Sequence, residues 1–80
     1  MYTKNNCGYC ARAKHLLDAR DIDYKEVNVE DDLDAKDFIV SKGHRTLPQF
    51  YTSSGELLVE GGYEGLVKMS KEEILEKENA

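Results

Sequence analysis

The spacing of hydrophobic positions changes along the chain in a way that predicts both helices and strands. Ala13, Leu16 and Leu17 recur at the three- and four-residue intervals of one helix face, which predicts a helix from Cys10 to Arg20. A second helical stretch is predicted from Leu33 to Lys42, directly before a glycine that marks its end. The first half of the chain therefore contains two amphipathic helices.

Strand-like alternation lies between these helices and after them. Residues Asp23 to Val29 alternate polar and apolar side chains, and Met1 to Thr3 form a very short apolar start. Two further runs, Pro48 to Thr52 and Glu56 to Glu60, flank a Ser-Ser-Gly turn and predict a hairpin.

Two more helical segments are predicted near the end of the chain. Tyr63 to Met69 follows a pair of glycines, and Ser70 with Glu73 has the spacing of a capping box that opens a last helix. Strands that alternate with helices favour parallel pairing with helices on the faces of the sheet. The pattern predicts one α/β domain over residues 1–80, with a small mixed four-stranded sheet whose first strand is very short.

Composition and charge narrow the classes of function. The chain has 80 residues and a net charge of −5, which argues against a general nucleic-acid binder, because such proteins use a basic face. No apolar run reaches the roughly 20 residues of a membrane-spanning helix, and the first residues lack the apolar core of a secretory signal. We expect a cytoplasmic monomer, with its thiols kept reduced by the surroundings and no membrane or nucleic-acid partner.

The two cysteines, Cys7 and Cys10, point to redox chemistry. A disulfide between residues three apart closes too small a loop to stabilise a fold, so the pair calls for a chemical explanation. Cys7 lies between a short strand and a helix, where unpaired N–H groups and the helix dipole favour a thiolate. Lys4 adds positive potential, and Cys10 is one turn away, in reach of a mixed disulfide on Cys7.

Two other interpretations of the pair are open. A zinc site is disfavoured because there is no second Cys pair and the positions of His15 and His44 match no zinc-finger spacing, so no metal is expected. Two cysteines packed as small apolar side chains remain an alternative.

Three segments, in order and at compatible separations, resemble the glutaredoxin family over nearly the whole chain. They are Tyr2-Thr3-Lys4 leading into Cys7-Gly8-Tyr9-Cys10, then Arg45-Thr46-Leu47-Pro48-Gln49-Phe50, then Gly61-Gly62-Tyr63-Glu64-Gly65-Leu66. The resemblance implies a thioredoxin-like fold. It also implies that Cys7 is the nucleophile, Cys10 the resolving thiol and glutathione the reducing co-substrate.

The resemblance further implies a glutathione groove. Pro48 would be cis and expose the backbone of Leu47 to pair with glutathione, while Lys4 and Glu64 would meet its carboxylate and ammonium groups. The full set of residues expected to bind glutathione is Lys4, Tyr9, Thr46, Leu47, Pro48, Gly62, Tyr63 and Glu64.

The implied function is glutathione-dependent reduction of protein disulfides and glutathione mixed disulfides, with ribonucleotide reductase a common client in the family. Gly8 stands where the family commonly has proline, which keeps open a dimer bridged by a [2Fe–2S] cluster. A redoxin reduced by thioredoxin reductase is a further alternative. Charged stretches elsewhere, including Glu26, Glu30 to Asp32 and Lys71 to Glu78, are interpreted as solvated faces.

Overall fold

The computed structural model describes residues 1–79 and confirms the alternation of helices with short strands. Its elements in chain order are β1 (Tyr2–Thr3), α1 (Gly8–Ala19), β2 (Val27–Asn28), α2 (Leu33–Ser41), α3 (Gly62–Val67) and α4 (Lys71–Asn79). No helix within these residues is both long and apolar enough to cross a membrane.

The two strands are parallel neighbours. Tyr2 is in register with Val27 and Thr3 with Asn28, and the Val29 N–H donates to the Thr3 carbonyl at 2.9 Å. Only the last part of the strand predicted from Asp23 to Val29 pairs in this way, because β1 offers only two residues as a partner.

The predicted four-stranded sheet is present only in part, since the described residues form a two-stranded sheet. The expected third and fourth strands are reduced to isolated bridges, Tyr2 with Gln49 and Tyr51 with Leu57. Pro48 has no N–H to extend the first bridge, and β1 ends after Thr3. The hairpin itself closes, because the Leu58 N–H donates to the Phe50 carbonyl at 2.9 Å.

Side-chain caps set the starts of α1, α2 and α4. Helix α1 begins two residues earlier than the apolar pattern predicts because Cys7 caps it, accepting from the Cys10 N–H through its sulfur. Asp32 caps α2 by accepting from the Ala35 N–H at 3.1 Å. The capping box at Ser70 and Glu73 is confirmed, with reciprocal bonds of 3.1 and 3.2 Å.

Two apolar clusters make up the core. The larger joins α1, α3 and α4 around Ala13 and Leu66, both completely buried. The smaller packs α2 beside the sheet through Val29, Ala35 and Ile39. Burial of α1 against α3 fixes the start of α1, and with it Cys7, next to the start of α3.

Candidate active site

A disulfide joins Cys7 and Cys10 at the amino end of α1. Cys7 has the extended backbone of a cap residue, and its Cα atom lies 5.2 Å from that of Cys10. The two sulfurs differ in access, because Cys7 is half-buried while Cys10 is only 2% exposed. A molecule in solution therefore reaches the sulfur of Cys7 and not that of Cys10.

The surroundings of Cys7 favour negative charge on its sulfur. The Cys10 N–H points at the Sγ atom of Cys7 from 3.1 Å, as an N–H in the first turn of a helix does with a capping acceptor. The first turn of α1, which lies wholly within the described residues, contains no acidic side chain. These features would stabilise the Cys7 thiolate in the reduced protein.

The segment around Pro48 faces this sulfur. The Leu47–Pro48 peptide bond is cis, and the Leu47 carbonyl oxygen lies 3.7 Å from the Sγ atom of Cys7. The buried side chain of Gln49 donates to the Thr46 carbonyl at 3.0 Å. Gln49 therefore holds the turn that presents Leu47 beside the disulfide, a role that the sequence analysis did not assign to it.

The start of α3 lies directly against the same segment. Gly62 has a positive φ of 58°, and a Cβ atom there would lie 2.7 Å from the Pro48 carbonyl oxygen. No side chain fits between these two backbones, so glycine is required at this position.

These segments enclose a cleft of about 260 Å³ beside the disulfide. It is lined by Tyr9, Thr46, Leu47, Pro48, Gly61, Gly62, Tyr63 and Glu64. All the residues expected to bind glutathione line this cleft except Lys4, which is exposed and outside the lining. The rings of Tyr9 and Tyr63 lie 5.8 Å apart, centroid to centroid.

The loop before Cys7 is fastened by residues that the sequence analysis did not single out. The Asn5 N–H donates to the Glu30 carboxylate at 2.8 Å, and the Asn28 side chain donates to that of Asn5 at the same distance. Asn6 follows with a positive φ of 54°. Glu30 was interpreted as part of a solvated face; it is exposed, but it also bonds the active-site loop.

Glu26, also interpreted as part of a solvated face, anchors β1. Its carboxylate accepts from Lys14 at 2.8 Å and from the buried Thr3 hydroxyl at 2.7 Å. These bonds, first that from Lys14 and then that from Thr3, hold the pKa of the Glu26 carboxyl below its ordinary value. Neither the charge count nor the periodicity of the sequence predicts these pairings, because Lys14 and Thr3 are 12 and 23 residues away from Glu26 in sequence.

A contact between His44 and Tyr51 joins the two segments on either side of Pro48. The His44 Nε2 and Tyr51 Oη atoms lie 2.6 Å apart. Burial raises the pKa of Tyr51, because the phenolate would lose solvation, and nearby Tyr2 raises it further. The neutral hydroxyl of Tyr51 and the His44 imidazole share this hydrogen bond, and the tautomer of His44 sets which of them donates. Within residues 1–79, no cluster of three or more His, Cys, Asp or Glu side chains could hold a metal ion.

Comparison with known proteins agrees with this geometry. The glutaredoxin family profile matches residues 1–57. A glutaredoxin-like protein of Encephalitozoon cuniculi is 39% identical over 70 residues, covering 88% of this chain and 52% of its own length. The chain thus spans about half of that relative.

Two bacterial relatives match almost the full chain. Glutaredoxin 1 of Rickettsia conorii is 32% identical over 80 residues, covering 96% of this chain and 76% of its own. Glutaredoxin 1 of Rickettsia prowazekii is 32% identical over 80 residues, with 96% and 81% covered. With a cysteine pair at a helix start beside a cis-proline turn, the chain belongs to the glutaredoxin family of thiol–disulfide oxidoreductases.

Proposed function

We propose that the chain reduces protein disulfides and glutathione mixed disulfides with glutathione as the reductant. The observation that supports this most is the position of the Cys7 sulfur, which lies 3.7 Å from the carbonyl oxygen of Leu47. The Leu47–Pro48 turn and the start of α3 line the cleft beside it. A cleft of about 260 Å³ is slightly smaller than the roughly 300 to 1,000 Å³ typical of small-molecule sites.

The chemistry starts at Cys7. Its thiolate attacks the glutathione sulfur of a mixed disulfide, the S–S bond breaks, and the client thiolate leaves reduced. Glutathione is then bound to Cys7. A second glutathione thiolate attacks the sulfur of the glutathione bound to Cys7, releasing oxidised glutathione and restoring the Cys7 thiolate. This cycle uses one cysteine of the protein.

Protein disulfides need the second cysteine. Attack by Cys7 on a client disulfide leaves a mixed disulfide with the client, and the Cys10 thiolate then attacks the sulfur of Cys7 and expels the client thiolate. The Cys7–Cys10 disulfide that results is the state of the present structure. Two glutathione thiols return it to the dithiol. The burial of Cys10 suits this role, since only an adjacent sulfur reaches it.

Two cysteine variants test this division of labour. We expect Cys7→Ser to lose both activities, and Cys10→Ser to retain reduction of a glutathionylated peptide while losing reduction of a protein disulfide. The assay couples glutathione oxidation to glutathione reductase and NADPH. Equal losses in both variants with the glutathionylated peptide would contradict the proposal.

The contribution of the cleft is tested at Glu64, which would face the ammonium group of glutathione. Glu64→Gln is expected to raise KM for the glutathionylated peptide about two- to five-fold, the effect of one exposed charge pair, with kcat retained. Glu60→Gln is the matched control, because Glu60 is exposed and outside the cleft lining. An equal change in KM in both variants would contradict a role for the cleft.

Two alternatives lead to different measurements. A dimer bridged by a [2Fe–2S] cluster, suggested by Gly8, predicts a brown protein with visible absorbance after anaerobic purification. A redoxin fed by thioredoxin reductase predicts faster turnover with that enzyme than with glutathione in a coupled assay. A colourless monomer turned over by glutathione supports the main proposal. That proposal includes a reducing cytoplasmic setting and disulfide-containing clients, with ribonucleotide reductase among them.

A further inference from the structure

A second open groove runs along α1, next to the cleft but outside it. It has a volume of about 570 Å³ and is lined by Ala11, Arg12, His15, Leu16, Ala19, Arg20 and Tyr63. We call this the α1 groove. Tyr63 lines both the α1 groove and the cleft, so the two lie next to each other.

The charge of the α1 groove is opposite to that of the chain. The chain as a whole is acidic, with 16 acidic and 11 basic residues. The α1 groove instead has two arginines and a histidine, Arg12, Arg20 and His15. No carboxylate among residues 1–79 lines it. Between these polar side chains the floor is small and apolar. A ligand that fits this lining carries carboxylates on a narrow, partly apolar body, as an acidic polypeptide segment does.

Both guanidinium groups already have a contact within the protein. Arg12 lies over the ring of Tyr9, with 5.3 Å between its Cζ atom and the ring centroid. Arg20 donates from Nη1 to the Met69 carbonyl at 2.6 Å. A guanidinium has five N–H donors, so each keeps others for a carboxylate. Because these contacts already restrict them, binding costs them less side-chain entropy.

Acidic side chains lie beside the loop that precedes Cys7. Glu30 bonds the Asn5 N–H and so lies beside the loop before Cys7. Asp31, Asp32 and Asp34 follow it at the start of α2. An acidic segment would be repelled on this side of Cys7 and attracted on the α1 side, which fixes the direction in which it leaves the disulfide.

We propose that the α1 groove docks an acidic segment of a client polypeptide whose cysteine reacts with Cys7. From Arg12 to Arg20 the helix rises about 12 Å, which corresponds to about four residues of extended peptide. This inference deepens the proposed function by naming the chemistry of the client, and it rests on that function only in taking Cys7 as the attacking sulfur.

The test uses the reduced Cys10→Ser protein and peptides whose single cysteine is disulfide-bonded to thionitrobenzoate. The Cys7 thiolate attacks the peptide sulfur, the existing S–S bond breaks, and coloured thionitrobenzoate leaves as the thiolate. No glutathione or other reductant takes part. One peptide has Asp and Glu beside its cysteine and the other has Gln at the same positions. The ratio of their second-order rate constants is the readout.

We expect the acidic peptide to react about five times faster at low salt, and the ratio to approach one as salt screens the charges. Arg12→Gln should lower the ratio at least two-fold. Taking a ratio cancels any change in the reactivity of Cys7 itself. Lys25→Gln is the charge-matched control, because Lys25 is exposed and outside both the α1 groove and the cleft.

Equal rates for the two peptides would overturn the proposal. So would an unchanged ratio in Arg12→Gln, or an equal fall in Lys25→Gln, which would assign the preference to net charge instead of the α1 groove. These outcomes are separable from a failure of the proposed function. A protein unable to use glutathione still releases thionitrobenzoate through Cys7, and its peptide ratio is still measured.

Discussion

The Cys10 amide nitrogen lies 3.1 Å from the Sγ atom of Cys7. The same helix start that positions Cys10, the proposed resolving cysteine, therefore also directs an N–H donor at the sulfur of Cys7, the proposed nucleophile. In the proposed mechanism, reactivity and resolution both depend on one local feature, the capping of α1 by a cysteine.

The first prediction concerns the acidity of that sulfur. In reduced Cys10→Ser protein, we expect the pKa of the Cys7 thiol to be below the ordinary value of about 8.5, because helix N–H groups stabilise the thiolate. The rate of alkylation by iodoacetamide, followed against pH, measures it. A pKa at or above the ordinary value would remove the physical basis of the proposed chemistry.

A second prediction concerns Gly65, in the third segment that resembles the family. A Cβ atom at this position would collide with the Glu60 carbonyl oxygen, and it would lie 2.9 Å from the Val59 Cγ2 atom. Gly65→Ala should therefore lower the free energy of unfolding by about 2 kcal/mol, as overpacking typically does, measured by urea denaturation.

Gly8→Ala is the control for this substitution. A Cβ atom at Gly8 meets nothing within 4 Å, and Gly8 is already helical. Alanine there should leave stability unchanged or raise it by up to about 1 kcal/mol. Equal destabilisation by the two alanines would show that the crowding at Gly65 is not the cause.

A third prediction follows from the lowered pKa of Glu26. Since the folded-state pKa lies below the unfolded one, the stabilisation is complete above the unfolded value of about 4.3. It is lost as the pH falls through the folded value. Glu26→Gln should reduce stability by about half a kcal/mol near neutral pH, as expected for a pair that is a third exposed. The difference from wild type should shrink below about pH 4.

Urea denaturation at several pH values checks the Glu26 prediction. Glu76→Gln, at an exposed position on α4, is the control for removing one carboxylate. If the difference between wild type and Glu26→Gln stayed constant between about pH 5 and pH 3, the hydrogen bonds to Lys14 and Thr3 would not be what stabilises the fold.

A fourth prediction concerns Arg20, which ties the end of α1 to the turn after α3. Arg20→Met keeps most of the side-chain length but removes the donor to the Met69 carbonyl. We expect a loss of about 1 to 2 kcal/mol in the free energy of unfolding, as for a hydrogen bond from a charged group. Arg12→Met, at an exposed position on the same helix, should change stability by less than about 0.5 kcal/mol. Similar losses in both would point to helix propensity instead.

The helices were predictable because their signals are local. Apolar spacing located α1 and α2, and the Ser70–Glu73 pair located the start of α4. The exact start of α1 was not predictable in the same way, because cysteine is not a usual cap residue. The extent of the sheet was overestimated, since strand length depends on partners and β1 supplies only Tyr2 and Thr3.

The residues of the candidate site that belong to the three family segments were predictable from the sequence. The residues that support them from distant positions in the chain were not. The cleft brings together most of the residues that the family segments imply. The hydrogen bonds between Asn5 and Glu30 and between His44 and Tyr51 join residues in different segments, and no short sequence pattern predicts them. Such pairings depend on the folded chain as a whole.

The contact of Gly62 with the Pro48 carbonyl has a consequence for how this protein can diverge. Two stretches of main chain meet there with no side chain between them, so ordinary substitutions cannot widen or narrow the opening at that point. If related sequences change their preference for a ligand of this cleft, we expect the changes at side chains that line it, such as Tyr9 and Glu64. The distance between the Gly62 and Pro48 backbones should stay the same.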